Sequence, residues 1–281
     1  MPGILWIASY PKSGNTWFRA FLANYLLDAA EPVSLGELPK FIAGDHRKTE
    51  YEHFLGKSIA GLSDKELSGI RPKVHQWLAE SQENTTLVKT HNACIFVDGQ
   101  PLITPAATAG AIYIVRNPLD VAVSFSHHFQ VSLERAVQIL CEKNKSLPPS
   151  AGNLEVHLDS WSGHVRSWLE APGMRLHLLR YEDMAENAET TFAALISYLQ
   201  LPMHEERLRK AVAFSAFDSL KSQEDRHGFV EARSDGKSRF FREGKAGSWK
   251  DVLSHDQVRR LIECHRPMMM RLGYLSKTGE P

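Results

Sequence analysis

The sequence predicts an α/β fold, a single domain with a central parallel sheet flanked by helices on both faces, and three observations carry that reading. Short apolar, β-prone runs at 3–9, 86–89, 111–115 and 175–179 alternate with stretches of helical periodicity along the whole chain. That alternation is the pattern of a parallel sheet covered on both sides. No linker-like segment and no internal repeat divides the 281 residues, a length that one large α/β domain spans, so 1–281 reads as one unit.

The elements follow in order. The run 3–9 is a buried strand that ends at the turn-forming Tyr10-Pro11-Lys12-Ser13-Gly14, and a helix over 16–28 carries Trp17, Ala20, Phe21, Asn24 and Leu27 at helical spacing. Residues 31–61 have weak periodicity and several Pro and Gly, which predicts an excursion with short helices. Ser63 and Glu66 form a capping box that opens a helix to about Glu80. After the strand at 86–89 and the AIYIV strand at 111–115, Asn117-Pro118 starts a helix with proline at its first position. Helices are expected at 132–143 and 158–170, separated by the loop chemistry of KNKSLPPSAGN, and RLHLL at 175–179 is a further strand. Helices at 188–199 and 205–214 come next, and Ser254 with Gln257 caps a last helix that ends near Gly273. Residues 219–249 are polar, charged and aperiodic, and read as a functional or mobile loop.

Composition narrows the function. Lys plus Arg number 33 and Asp plus Glu number 33, so the basic excess of a nucleic-acid-binding domain is missing. Cys94, Cys141 and Cys264 are odd in number and widely spaced, which fits reduced thiols and gives no pair with metal-ligand spacing. No apolar run reaches the roughly 18–20 residues of a membrane span, and the N-terminus lacks the pattern of a signal peptide. A soluble, cytoplasmic protein without a metal is the expectation.

Four segments carry chemistry. In Tyr10-Pro11-Lys12-Ser13-Gly14-Asn15-Thr16-Trp17, Gly14 lets backbone approach an anion, the N–H groups of the following helix point at it, and Lys12 adds charge. The lysine precedes the glycine, so this is not the Walker A pattern. Lys89-Thr90-His91 ends a strand, where positions i and i+2 share a face; a fixed cation and a base thus project together about 6–7 Å apart. Arg116 ends the AIYIV strand, placed to grip an anion, with Ser124 two turns along the next helix. Finally, Arg242-Glu243-Gly244-Lys245-Ala246-Gly247 sets glycines among basic residues and can wrap a second anionic group. A P-loop kinase would need Gly-Lys-Ser/Thr, which is absent, and an acidic magnesium ligand, for which Asp120 and Asp183 are candidates. A non-catalytic nucleotide-binding protein is the other alternative.

Together these segments resemble one family, the cytosolic-type sulfotransferases that use 3′-phosphoadenosine 5′-phosphosulfate (PAPS). YPKSGNTW at 10–17 is similar to its first loop, Lys89-Thr90-His91 to its K-x-H strand end, RNPLDVAVSF at 116–125 to its R-N-P-x-D-V-x-V-S segment, Tyr181-Glu182-Asp183 to its Y-E-D, and REGKAGSWK at 242–250 to its late R-K-G-x-x-G-x-W-K segment. Order and spacing agree from residue 6 to about 250. The resemblance implies a P-loop-NTPase-like sulfotransferase fold and sulfuryl transfer to a hydroxyl or amine of a small-molecule alcohol, phenol or amine.

It also implies roles. His91 is the general base, with Lys12 and Lys89 as the other catalytic residues. Ser13, Gly14, Asn15 and Thr16 hold the 5′-phosphate, Trp17 stacks on adenine, and Tyr181, Ser215 and Phe217 are further adenine contacts. Arg116, Ser124, Arg242 and Gly244 read the 3′-phosphate. The acceptor is expected against the variable segments 34–60 and 126–160, and a mobile loop at about 221–248 covers the cofactor. His127 and His128 are expected to face solvent. Glu243 stands where the family has lysine, which removes a charge near the 3′-phosphate. The family's dimerisation stretch is not clear after Trp249, so the oligomeric state stays open.

Overall fold

The structure is a computed structural model and describes residues 3–229, 231, 239–276 and 278–281. Among the described residues there are nine strands: β1 (Ile4–Ser9), β2 (Ala43–Gly44), β3 (Thr86–Thr90), β4 (Phe96–Val97), β5 (Gln100–Pro101), β6 (Thr108–Val115), β7 (Ser146–Leu147), β8 (Val156–His157) and β9 (Leu176–Arg180). Five make one sheet in the order β2-β3-β1-β6-β9, every neighbour parallel. The pairs β4–β5 and β7–β8 are small antiparallel hairpins outside it.

The predicted strands are all present, to within one to three residues at their ends; the apolar runs of β1 and β6 are buried as the inner strands of a doubly covered sheet. Alternate side chains feed two cores. Trp6, Ala8, Tyr113 and Val115 enter the larger one, packed by the helices Asp64–Glu80, Trp161–Leu169 and His255–Arg271. Leu5, Ile7, Ile112 and Ile114 enter the second, against Asn15–Leu27 and Ala188–Tyr198. Both capping boxes form as expected, Ser63 with Glu66 and Ser254 with Gln257.

One reading is corrected. The start of the segment expected to be loop is a helix, Phe217–His227, which takes the first seven residues of the 221–248 stretch. It buries only Leu220 and Glu224, so it shows no apolar stripe in sequence. Of the remainder, 230 and 232–238 lie outside the described residues. Residues 239–248 run over the site, tied down where the buried Glu224 carboxylate accepts the N–H groups of Phe240 and Phe241.

The register sets the site. Ala8 pairs with Thr90 and Ser9 with Ile114, so β1, β3 and β6 end side by side. The chain leaves β1 toward the β3 edge and later returns to its other flank as β6, which opens a crevice above β1 where ligands bind in such sheets.

Candidate active site

A cavity of about 590 Å³ sits in that crevice. All the residues expected to have a catalytic or cofactor-binding role line it except Ser13 and Ser215. Ser13 lies beneath the loop, fully buried, its hydroxyl without a hydrogen-bond partner. Ser215 is also fully buried but turns its hydroxyl back onto the carbonyls of Ala211 and Val212, so it is spent within its own helix.

The first loop is built around two residues with positive φ, Lys12 at 70° and Gly14 at 98°. A Cβ on Gly14 would lie 2.6 Å from Cδ2 of Tyr181. Gly14→Ala is therefore expected to combine backbone strain with a ring displacement, costing about 2 kcal/mol and lowering Tm by about 4–8 °C. An unchanged melt would show that the loop relaxes freely. Asn15 braces the loop from below, its amide donating to the Ile7 carbonyl at 3.1 Å and its oxygen accepting from Arg19 at 3.0 Å.

Three cations converge. Burial brings Lys12 down to about 7, with Arg116 adding to the effect, and its ammonium lies 3.7 Å from the centre of the Phe240 ring. Burial likewise brings Lys89 down to about 8, against the opposing pull of Glu231. Arg116 lies 4.1 Å from the Tyr181 ring centre and donates to the carbonyls of Lys12 and Lys245, while its Nε has no partner. It does not pair with Asp120. Both oxygens of Asp120 instead accept from the late loop, at the N–H groups of Gly247 and Trp249 and the Ser248 hydroxyl. Asp183 is paired with Arg180.

His91 follows β3 directly. Its Nδ1 lies 2.8 Å from the Ser9 carbonyl, which only accepts, so Nδ1 carries the hydrogen and Nε2 the lone pair. Burial and the neighbouring Lys89 hold this imidazole well below its usual pKa, hence neutral. Its carbonyl accepts from Nε2 of His164 at 3.0 Å, which fixes the backbone.

The sequence did not reveal four further features. Glu231 places its carboxylate in the cavity, bonded twice to the fully buried Arg19 (2.7 and 2.8 Å), once to the Thr16 hydroxyl (3.2 Å), and 3.4 Å from Lys89. Burial pushes that carboxyl up, yet Lys89 and Arg19 outweigh it and hold it far below the usual range. Arg19 was findable, since it lies three residues beyond Thr16 on one helix face. Phe240 and Phe241 roof the cavity, and His46 and Arg47 line its other end.

At the late loop, a Cβ on Gly244 would lie 2.2 Å from Cδ2 of Phe217, so glycine is required there. Arg242 is at the cavity mouth but pairs with Glu243 at 3.1 Å and with His127 at 2.9 Å. His127 is exposed as expected, whereas His128 lines the cavity, edge-on to Phe129 and Phe240. The segments 34–60 and 126–160 both contribute wall, including Pro39, Phe129, Leu154 and Val156. Among the described residues, no group of His, Cys, Asp and Glu is placed to hold a metal ion, and no helix is long and apolar enough to cross a membrane.

A parallel α/β sheet with an anion loop after its first strand, cationic strand ends and a neutral histidine defines a group-transfer enzyme acting on an anionic substrate. The family follows from comparison: the model of the sulfotransferase domain matches residues 2–273, and the chain belongs to the sulfotransferase family. It is 25% identical to mouse sulfotransferase 1B1 over 282 residues, covering 95% of this chain and 83% of that one. In fold it is similar to retinol dehydratase, solved with androsterone and the inactive cofactor PAP (TM-score 0.66, 18% identity, 95% of this chain and 81% of that one). Mouse SULT7A1, solved with PAP, is similar as well (TM-score 0.64, 20% identity, 99% and 87%). The chain is thus an enzyme of sulfuryl transfer.

Proposed function

We propose that the protein transfers the sulfuryl group of PAPS to a hydroxyl or amine of a small-molecule acceptor by in-line displacement, with His91 as general base. The observation that carries this reading is the convergence of Lys12, Lys89, Arg116 and the free Nε2 of His91 on one cavity at the ends of β1, β3 and β6. The residues fit such a nucleotide: the buried Ser13 hydroxyl and Arg116 Nε lack partners, and two lysines are held below their ordinary pKa where an anion would restore them. PAPS brings the activated sulfuryl group and its leaving oxygen.

The chain's own groups do the rest. Lys12 and the backbone of residues 13–16 hold the 5′-phosphate end, and Trp17 and Phe217 flank the base. Arg116 and Ser124 meet the 3′-phosphate. Nε2 of His91 removes the acceptor proton, and Lys89 supplies positive charge where sulfuryl oxygens gather it. Little covalent work falls to the protein, as in phosphoryl transfer. Glu231 rests on Thr16, Arg19 and Lys89, so it yields its place when the donor's anionic end enters.

The test is a thermal-shift titration with adenosine 3′,5′-bisphosphate without metal, beside ATP with magnesium. Bisphosphate at a hundred times its Kd adds about 2.7 kcal/mol of stability, a plain rise in Tm. Arg116→Ala is expected to abolish the preference for the 3′-phosphorylated nucleotide over adenosine 5′-monophosphate. Stabilisation by ATP and magnesium alone would overturn the reading in favour of a kinase. Equal losses for both nucleotides in the variant would remove Arg116 from the 3′-phosphate.

A further inference from the structure

Beyond the proton-accepting His91, the acceptor end of the cavity holds a second histidine with the same preparation. His46 lines the cavity just past β2, the edge strand parallel to β3. Its Nδ1 lies 3.1 Å from Oδ1 of Asp45. The other oxygen of Asp45 accepts from the Thr90 hydroxyl at 2.7 Å and the Asn92 amide at 2.9 Å, and the Asp45 N–H donates to the Lys89 carbonyl. One fully buried carboxylate thereby grips both residues flanking His91 and orients a second imidazole at the same time. Burial alone would push Asp45 up; His46 and Asn92 hold it at about 2, so it is an ionised acceptor and Nδ1 of His46 is the donor. Nε2 of His46 is left for the cavity.

The two ring centres are 6.4 Å apart. A single reacting hydroxyl has one hydrogen, and His91 takes it. A neighbouring polar group on the same acceptor falls within reach of the second ring. The adjoining wall is apolar, from Phe129, Leu154 and Val156, which suits the ring that would carry two such groups. On the acceptor reading of this site, we propose that His46, positioned by Asp45, is a specificity-determining residue that binds a second hydroxyl or amine adjacent to the one sulfated.

The test compares 4-methylcatechol with 4-methylphenol, two acceptors that differ by that one hydroxyl, in PAPS-dependent transfer. The wild type is expected to favour the catechol about tenfold or more in kcat/KM, the size of one well-made hydrogen bond in a site built for it. His46→Asn keeps an amide for Asp45 and removes the Nε2 position; it is expected to bring the preference close to one while the affinity for adenosine 3′,5′-bisphosphate is unchanged. His46→Gln, whose longer amide reaches the Nε2 position, is expected to restore part of the preference. A catechol preference that survives in His46→Asn, or equal use of both probes by the wild type, would overturn the inference. So would loss of bisphosphate affinity along with the preference, which marks a purely structural role. A wild type that binds the bisphosphate but sulfates neither probe overturns this inference and leaves the proposed function standing. A wild type that ignores the bisphosphate overturns both.

Discussion

His91→Ala lowers turnover by about 10²–10⁴, the usual weight of a general base, while adenosine 3′,5′-bisphosphate binds as before. The expectation rests on how the ring is held. The Ser9 carbonyl takes Nδ1–H, so the lone pair on Nε2 has one direction, into the cavity. Burial and Lys89 keep the ring uncharged, so the base is ready at neutral pH and gains little from further alkalinity. Among the described residues no hydrogen bond ties Nε2 to the anion-binding groups of the first loop, which is why nucleotide affinity is spared. The measurement is steady-state transfer to a small panel of alcohols, phenols and amines beside a binding titration of the variant. Unchanged kcat would remove His91 from proton transfer. A parallel loss of nucleotide affinity would make it part of the donor site instead.

Acid is expected to unfold the protein well before carboxylates alone would. His75, His164 and His265 are buried, and burial lowers each to about 4. In the unfolded chain the same rings titrate near 6.5. Between these values the unfolded state binds more protons than the folded one, so stability falls as pH drops from 6.5 toward 4. A fully developed shift of that size is worth about 3 kcal/mol per ring, and three of them rival the roughly 5–15 kcal/mol of a whole domain. The packing shows why the rings resist protonation. His164 gives Nε2–H to the His91 carbonyl and pairs its Nδ1 with the Tyr113 hydroxyl; His75 lies edge-on to Trp6, its Nε2 buried without a partner. Thermal melts from pH 7 to 4 are expected to show a steady decline in Tm that steepens below 6. A flat Tm down to pH 4.5 would show that these rings charge without cost in the native state.

The strands and the main cationic residues were legible because their signal is local. Lys12, Lys89 and Arg116 each follow an apolar run within a few residues, so the strand that carries them announces where they point. Features made by long-range contacts were not legible. Arg19 meets Glu231 across 212 residues, and Asp45 reaches Asn92 across 47, distances over which a sequence holds no spacing rule. Ser215 shows the opposite failure. Similarity of position brought it into the candidate set, but its hydroxyl bonds back onto the Ala211 and Val212 carbonyls one turn earlier in its own helix. The helix Phe217–His227 was missed because it fully buries only Leu220 and Glu224, one of them charged, so no apolar stripe marks it in sequence.

On the proposed reading of the site, Glu231 makes donor recognition an exchange rather than a filling. The Thr16 hydroxyl, Arg19 and Lys89 already hold one carboxylate, so they are desolvated and aimed before any nucleotide arrives. On that reading, a titration reports the preference of the site for a phosphosulfate over a tethered carboxylate, and weak competitors with a single diffuse charge gain nothing by entering. The resident anion acts as a threshold on the quality of its replacement, and it spares the empty site the repulsion of bringing Arg19 and Lys89 together unneutralised.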